Sequence, residues 1–110
     1  MIKSILKRIF ARQKLIELKF YITKNANKTF TVFSTHDSTF TILDDPSRVY
    51  RFVNEIMYQH WYIDLYDYSS FFDGDDPISR IIDAMDSRKD YTQKLRYDAT
   101  TIFEIGVYFK

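Results

Sequence analysis

Apolar residues recur along this chain with two different periods, and the switches between them mark out its elements. Ile2, Ile5, Leu6, Ile9 and Phe10 fall at helical spacing, with Lys3, Lys7, Arg8 and Arg12 on the remaining faces. This predicts a basic amphipathic helix over residues 2–13. From residue 15 to 23 the period becomes two: Ile16, Leu18, Phe20 and Ile22 share one face, and Glu17, Lys19, Tyr21 and Thr23 the other. Asn25-Ala26-Asn27-Lys28 reads as a polar turn, residues 29–34 alternate through Phe30 and Val32, His36-Asp37-Ser38 is a second turn, and Thr39 to Leu43 alternates through Phe40 and Ile42. Three short runs rich in β-branched and aromatic residues, separated by polar breaks, predict an antiparallel meander.

Asp44-Asp45-Pro46 then marks a helix start, with Asp at the N-cap and Pro at the first helical position. Val49, Phe52, Val53, Ile56, Met57, His60 and Ile63 fall on one face of that helix. Its end is open between two readings. Tyr62 to Tyr68 also alternates, with Ile63 and Leu65 opposite Tyr62, Asp64, Tyr66 and Tyr68, so the chain either stays helical or turns into a strand near Trp61. Ser69 to Asp76 reads as loop, and Asp76-Pro77 repeats the helix-start signal ahead of Ile78, Ile81, Ile82 and Met85. A last strand is expected over residues 101–109, with Lys94 to Tyr97 as a candidate hairpin arm. The fold expected from this order is α+β: a four- or five-stranded, mainly antiparallel sheet. The 46–61 helix covers one face, the 77–86 helix lies beside it, and the N-terminal amphipathic helix packs at an edge. The 110 residues are expected to form a single small globular domain, a size that buries roughly 65% of the surface its unfolded chain exposes.

Composition narrows the chemistry. The absence of cysteine excludes disulfides, thiolate metal sites and cysteine nucleophiles. It fits a reducing compartment, and the expected location is cytoplasmic. No apolar run approaches the roughly 18–20 residues needed to span a bilayer, and Met1 to Phe10 lacks the continuous apolar stretch of a secretory signal. Two glycines cannot build a Gly-rich phosphate cradle, and none of the usual nucleotide-binding, hydrolase or zinc-protease motifs occurs. The two histidines sit apart in sequence: His36 in a turn beside Asp37, and His60 on the apolar helix face, where Asp64 lies one turn on. A His60–Asp64 pair supplies two ligands where a zinc site needs more. Asp73-Gly74-Asp75-Asp76 resembles the start of a calcium loop, but the twelfth residue from Asp73 is Ala84, not the required Glu. No metal, no cofactor and no enzymatic activity are therefore expected.

Charge changes the picture most. Residues 1–28 hold eight Lys/Arg and one acid, Glu17, whereas residues 37–86 hold eleven Asp/Glu against Arg48, Arg51 and Arg80. The formal net charge of +1 conceals a basic start and an acidic, tyrosine-rich middle. Such asymmetry points to a partner with its own charge pattern. The expected function is a small non-enzymatic inhibitor that neutralises a basic protein partner, such as a toxin or nuclease, in the manner of immunity or counter-defence proteins. Its expected binding residues are Glu55, Tyr58, Tyr62, Asp64, Tyr66, Asp67, Asp73, Asp75 and Asp76, because tyrosine brings rigid apolar area with a polar tip. The alternative is a nucleic-acid- or membrane-associated accessory protein acting through Lys3, Lys7, Arg8 and Arg12. A third reading is an enzyme built on His60 and the mid-chain carboxylates. Nucleic acid is not the expected partner, since the total charge is near zero and no nucleic-acid-binding signature occurs.

Overall fold

The structure is a computed structural model and describes residues 14–68 and 76–110. The N-terminal helix expected at 2–13, with Lys3, Lys7, Arg8 and Arg12, lies outside the described residues, as do Asp73 and Asp75. Five strands form one sheet in the order β3-β2-β1-β5-β4: β1 (Lys14–Lys24), β2 (Phe30–Ser34), β3 (Phe40–Leu43), β4 (Tyr91–Arg96) and β5 (Thr101–Phe109). The meander β1-β2-β3 is antiparallel as expected, with Tyr21 opposite Phe33 and Phe33 opposite Phe40. The candidate hairpin arm is β4, antiparallel to β5 and starting three residues earlier than the alternation indicated, at Tyr91.

The sheet is nonetheless mixed. At its centre β1 runs parallel to β5, in register from Lys14 beside Thr101 to Ile22 beside Phe109. The expectation of a mainly antiparallel sheet thus holds for the three outer pairings and fails at the middle one. The physical reason is connectivity. The helices join β3 at one edge of the sheet to β4 at the other, and the hairpin from β4 returns the chain as β5, inserted beside β1 and running in its direction.

Between β3 and β4 lie the helices. Asp45 accepts from the Ser47 amide at 3.0 Å and caps a 3₁₀ turn, Pro46–Arg48, that leads into α1 (Val49–Trp61). Asp76 does the same for α3 (Pro77–Asp86), accepting from the Ile78 amide at 3.0 Å and the Ser79 hydroxyl at 2.8 Å. Alternation along the strands sends Leu18, Phe20, Ile22, Val32, Leu95, Phe103, Ile105 and Val107 to one face, where all are buried. The helices answer with Val49, Phe52, Val53, Ile56 and Met57 from α1 and Ile78, Ile81 and Met85 from α3. Phe20 meets Phe52 edge to face at 5.8 Å, and Trp61 meets Phe103 in the same way at 5.0 Å.

The strand considered near Trp61 does not form. Tyr62 adopts the left-handed conformation (φ 56°) and ends α1, and a short helical turn, α2 (Leu65–Tyr68), follows. The alternation that suggested a strand has another cause: Ile63 and Leu65 are buried while Tyr62 and Tyr66 are exposed. No helix among the described residues is long and apolar enough to cross a membrane.

Ile56 is 2% exposed at the centre of the helix–sheet contact, so Ile56→Ala is expected to cost roughly 2–5 kcal/mol by removing buried methylenes and leaving a cavity. Chemical denaturation measures this, and a loss below about 0.5 kcal/mol, the size of an ordinary surface substitution, would show that the residue is not core.

Candidate functional site

The outer flank of α1 carries a ladder of paired side chains. Tyr50, Asn54 and Tyr58 recur every four residues and so lie along one side of the helix. After the left-handed turn at Tyr62 the chain doubles back along that side, and its alternate residues meet those three in reverse order. Tyr62 packs edge to face on Tyr58 at 6.1 Å, Asp64 accepts from Asn54 Nδ2 at 3.3 Å, and Tyr66 packs edge to face on Tyr50 at 6.4 Å.

The middle rung is the structural one. Asn54 Oδ1 accepts from the Leu65 amide at 2.7 Å, and Asp64 Oδ1 accepts from the Tyr66 amide at 3.0 Å. These bonds fix the returning chain and turn Ile63 and Leu65 into the core. The outer rungs are the exposed ones. Tyr62 is 83% exposed and Tyr58 55%. At the other end Arg51 Nε donates to the Tyr50 hydroxyl at 3.3 Å, and this bond lowers the Tyr50 phenol below its usual value. Tyr66 shifts the opposite way, raised by burial and then by its neighbour Tyr50.

Of the residues expected to bind a partner, the ladder brings together Tyr58, Tyr62, Asp64 and Tyr66, and Asp67 is exposed on the same returning turn. Asp64 is half-buried and occupied by the turn, so it positions the tyrosines. Glu55 is exposed, accepts from Gln59 at 3.4 Å and borders a shallow groove between α1 and β3. Asp76 is engaged in capping α3. Tyr50 was missed by the sequence reading, although its signal was present in the four-residue spacing Tyr50, Asn54, Tyr58, Tyr62.

The histidines come together in space and not as expected. His60 does not pair with Asp64: its Nε2 donates to Asp37 Oδ2 at 3.1 Å, and its ring meets His36 edge to face at 4.8 Å. His36 also packs on Trp61 at 4.8 Å. Neither histidine is buried, since His60 sits at the exposed end of α1. Thr39 donates to Asp37 Oδ1 through its amide at 3.2 Å and its hydroxyl at 2.6 Å. The cluster therefore ties the β2–β3 turn to the C-terminal end of α1. Among the described residues no group of three or more His, Cys, Asp or Glu side chains is placed to hold a metal ion.

The chain matches no family model, no curated protein and no solved structure.

Burial alone would raise the Asp37 carboxyl, but the bonds from Thr39 and His60 outweigh it and hold the group at about 2, below the ordinary 3.8. A depressed carboxylate stabilises the fold above its unfolded value and loses that contribution as pH falls through the folded one. The stabilisation is expected to be complete above about pH 4 and lost between about pH 4 and 2, with a size on the order of 1 kcal/mol after solvent screening. Urea denaturation of Asp37→Asn beside the parent should show a stability gap near pH 6 that closes towards pH 2. A gap independent of pH would place the effect elsewhere.

Proposed function

We propose that this protein works by binding, as a non-enzymatic inhibitor that occupies a basic protein partner of the toxin or nuclease type through the tyrosine ladder and its acidic surroundings. The observation that carries the reading is Tyr62. A large aromatic ring stands 83% exposed on a residue in the left-handed region, where glycine is the usual choice and a side chain costs on the order of 1 kcal/mol. Folding does not need that ring in the core. Its contact with Tyr58 presents two rigid phenols side by side, the residue type enriched where binding energy concentrates.

The charge around the ladder supports a basic partner. From Asp44 to Asp86 the described helical segment holds Asp44, Asp45, Glu55, Asp64, Asp67, Asp76, Asp83 and Asp86 against Arg48, Arg51 and Arg80. Such a field speeds encounter with a cationic surface and sets orientation, while buried aromatic anchors govern how long the complex lasts.

Two sets of variants separate these roles once a basic partner has been captured from the source cell and identified. Glu55→Lys and Asp67→Lys should slow association and weaken its salt dependence. Tyr58→Ala should speed dissociation, costing about 2 kcal/mol if the ring is a hot spot. Tyr62→Gly is the sharper variant. It removes the ring and also relieves the left-handed backbone, so fold stability should stay within about 1 kcal/mol of the parent while binding is lost. An acidic captured partner, or binding kinetics untouched by either set, would sink the proposal.

A further inference from the structure

The face of the sheet opposite the helices carries a row of rings in register across four strands. Phe40 of β3 stands opposite Phe33 of β2, Phe33 opposite Tyr21 of β1, and Tyr21 beside Tyr108 of β5. Strand alternation sends all of them away from the core side. Phe40 is 64% and Phe33 40% exposed, and Ile42 beside them is 59% exposed. The two tyrosines are in ring contact at 5.6 Å.

Tyr108 has a particular pose. A Cβ placed on Gly106 would collide with the Tyr108 ring and hydroxyl. The ring therefore lies down over the glycine, along the strand, and its hydroxyl reaches Thr92 Oγ1 at 3.3 Å. One face of the ring is against the sheet. Only glycine two residues back permits this, so the sequence Gly106-Val107-Tyr108 builds a flat aromatic surface.

The same face is basic. Lys19, Lys94, Arg96 and Lys110 accompany two acids, Glu17 and Glu104. Lys19–Glu17 is an exposed contact of 3.8 Å, and Lys94, itself exposed, reaches the half-buried Glu104 at 3.9 Å; pairs this long and open to water are weak and yield to a competing anion. Lys110 is held by its amide, which donates to the Ile22 carbonyl at 2.9 Å, and places its ammonium 4.3 Å from the Tyr21 ring centroid. Cations beside exposed rings match a ligand that alternates negative charge with flat aromatic groups.

We propose that this open sheet face binds single-stranded nucleic acid, its bases stacking along the row from Phe40 to Tyr108 and its phosphates meeting Lys19, Lys94, Arg96 and Lys110. A single strand exposes base faces that a duplex hides, and stacking on aromatic side chains is tolerant of sequence. Three inter-strand gaps of about 4.8 Å give the row room for two or three bases. The ligand class was hidden from the sequence because its residues come from strands dispersed along the chain, and because the acidic helical segment cancels their charge in the total.

Fluorescence anisotropy of the full chain with labelled oligo-dT and oligo-rU of about 15 nucleotides, and with a duplex of the same length, tests this at low salt. Both single strands are expected to bind better than the duplex, and a preference between them distinguishes DNA from RNA. Affinity should fall with salt at a slope of about −1.5 to −3, as for two to four phosphates on a single strand. Phe33→Ala, Phe40→Ala and Tyr108→Ala should each weaken binding about five-fold or more with unchanged circular dichroism, whereas Tyr58→Ala on the helical side should not. Phe40 is exposed enough that its variant remains folded and informative. The proposal is overturned if no single strand binds at low salt, if the duplex binds equally well, or if the three sheet variants bind like the parent. It is also overturned if those variants change only the sedimentation mass of the free protein, which would assign the face to a second copy of the chain.

Discussion

The parallel pairing of β1 with β5 is the contact on which the rest of the molecule depends. It joins residues 14–22 to residues 101–109 at the centre of the sheet, so almost the whole chain lies in the loop that it closes. Closure entropy grows only slowly with loop length, and here it is offset by the apolar floor the two strands share. Leu18, Phe20, Phe103, Ile105 and Val107 are all fully buried on that floor. Without it α1 and α3 have no surface against which to cover their apolar stripes. The outer hairpins have no ladder on which to register. Non-local pairing of this kind also makes for slow folding relative to a helical chain of equal size.

The two layers that result have different electrostatic characters. The helical side gathers most of the acids between Asp44 and Asp86, while the open side of the sheet carries Lys19, Lys94, Arg96 and Lys110 among few acids. A division that runs along the sequence as blocks is converted by the fold into a division between opposite faces. Each face bears exposed aromatic rings, tyrosines on the helical side and Phe33 and Phe40 on the sheet, where Tyr21 and Tyr108 lie half-buried beside them. The histidine cluster belongs to neither surface pattern. With Trp61 seated on Phe103, it fastens the tip of the β2–β3 turn to the end of α1.

Local signals carried far into this structure. Asp45-Pro46 and Asp76-Pro77 marked the helix starts because a carboxylate cap and a proline act within one turn. Period-two alternation marked β1, β2 and β5 because one face of each is buried, whereas in β3 the alternating Phe40 and Ile42 are exposed on the open side of the sheet. What escaped was non-local. Nothing near Lys14 announces that its strand will lie beside Thr101 in parallel. The run from Tyr62 to Tyr66 alternates like a strand because it lies against a helix flank with one side in the core, and burial alone does not distinguish the two. The Asp37–His60 bond spans 23 residues and unites a turn with a helix end, so neither residue's neighbours reveal it. Tyr58, Tyr62 and Tyr66 were legible as an exposed set, whereas Asp64 and Asp76 had first to satisfy backbone amides.

The scarcity of glycine has a consequence for how this protein can change over generations. Lys28, Ser38, Tyr62 and Arg88 all adopt left-handed backbone angles, with φ between 54° and 68°, while the only glycines are Gly74 and Gly106. Lys28 and Ser38 sit in plain turns with exposed side chains, whereas Arg88 donates to the Met85 carbonyl at 2.7 Å and lies over the Phe30 ring. Each retains strain of roughly 1 kcal/mol or more that a glycine would release, partly countered by the greater freedom glycine gives the unfolded chain. The molecule thus has mutational headroom in its turns rather than in its interior. A lineage carrying this fold could accept a damaging change elsewhere and recover stability at Lys28 or Ser38 without disturbing a single packed residue.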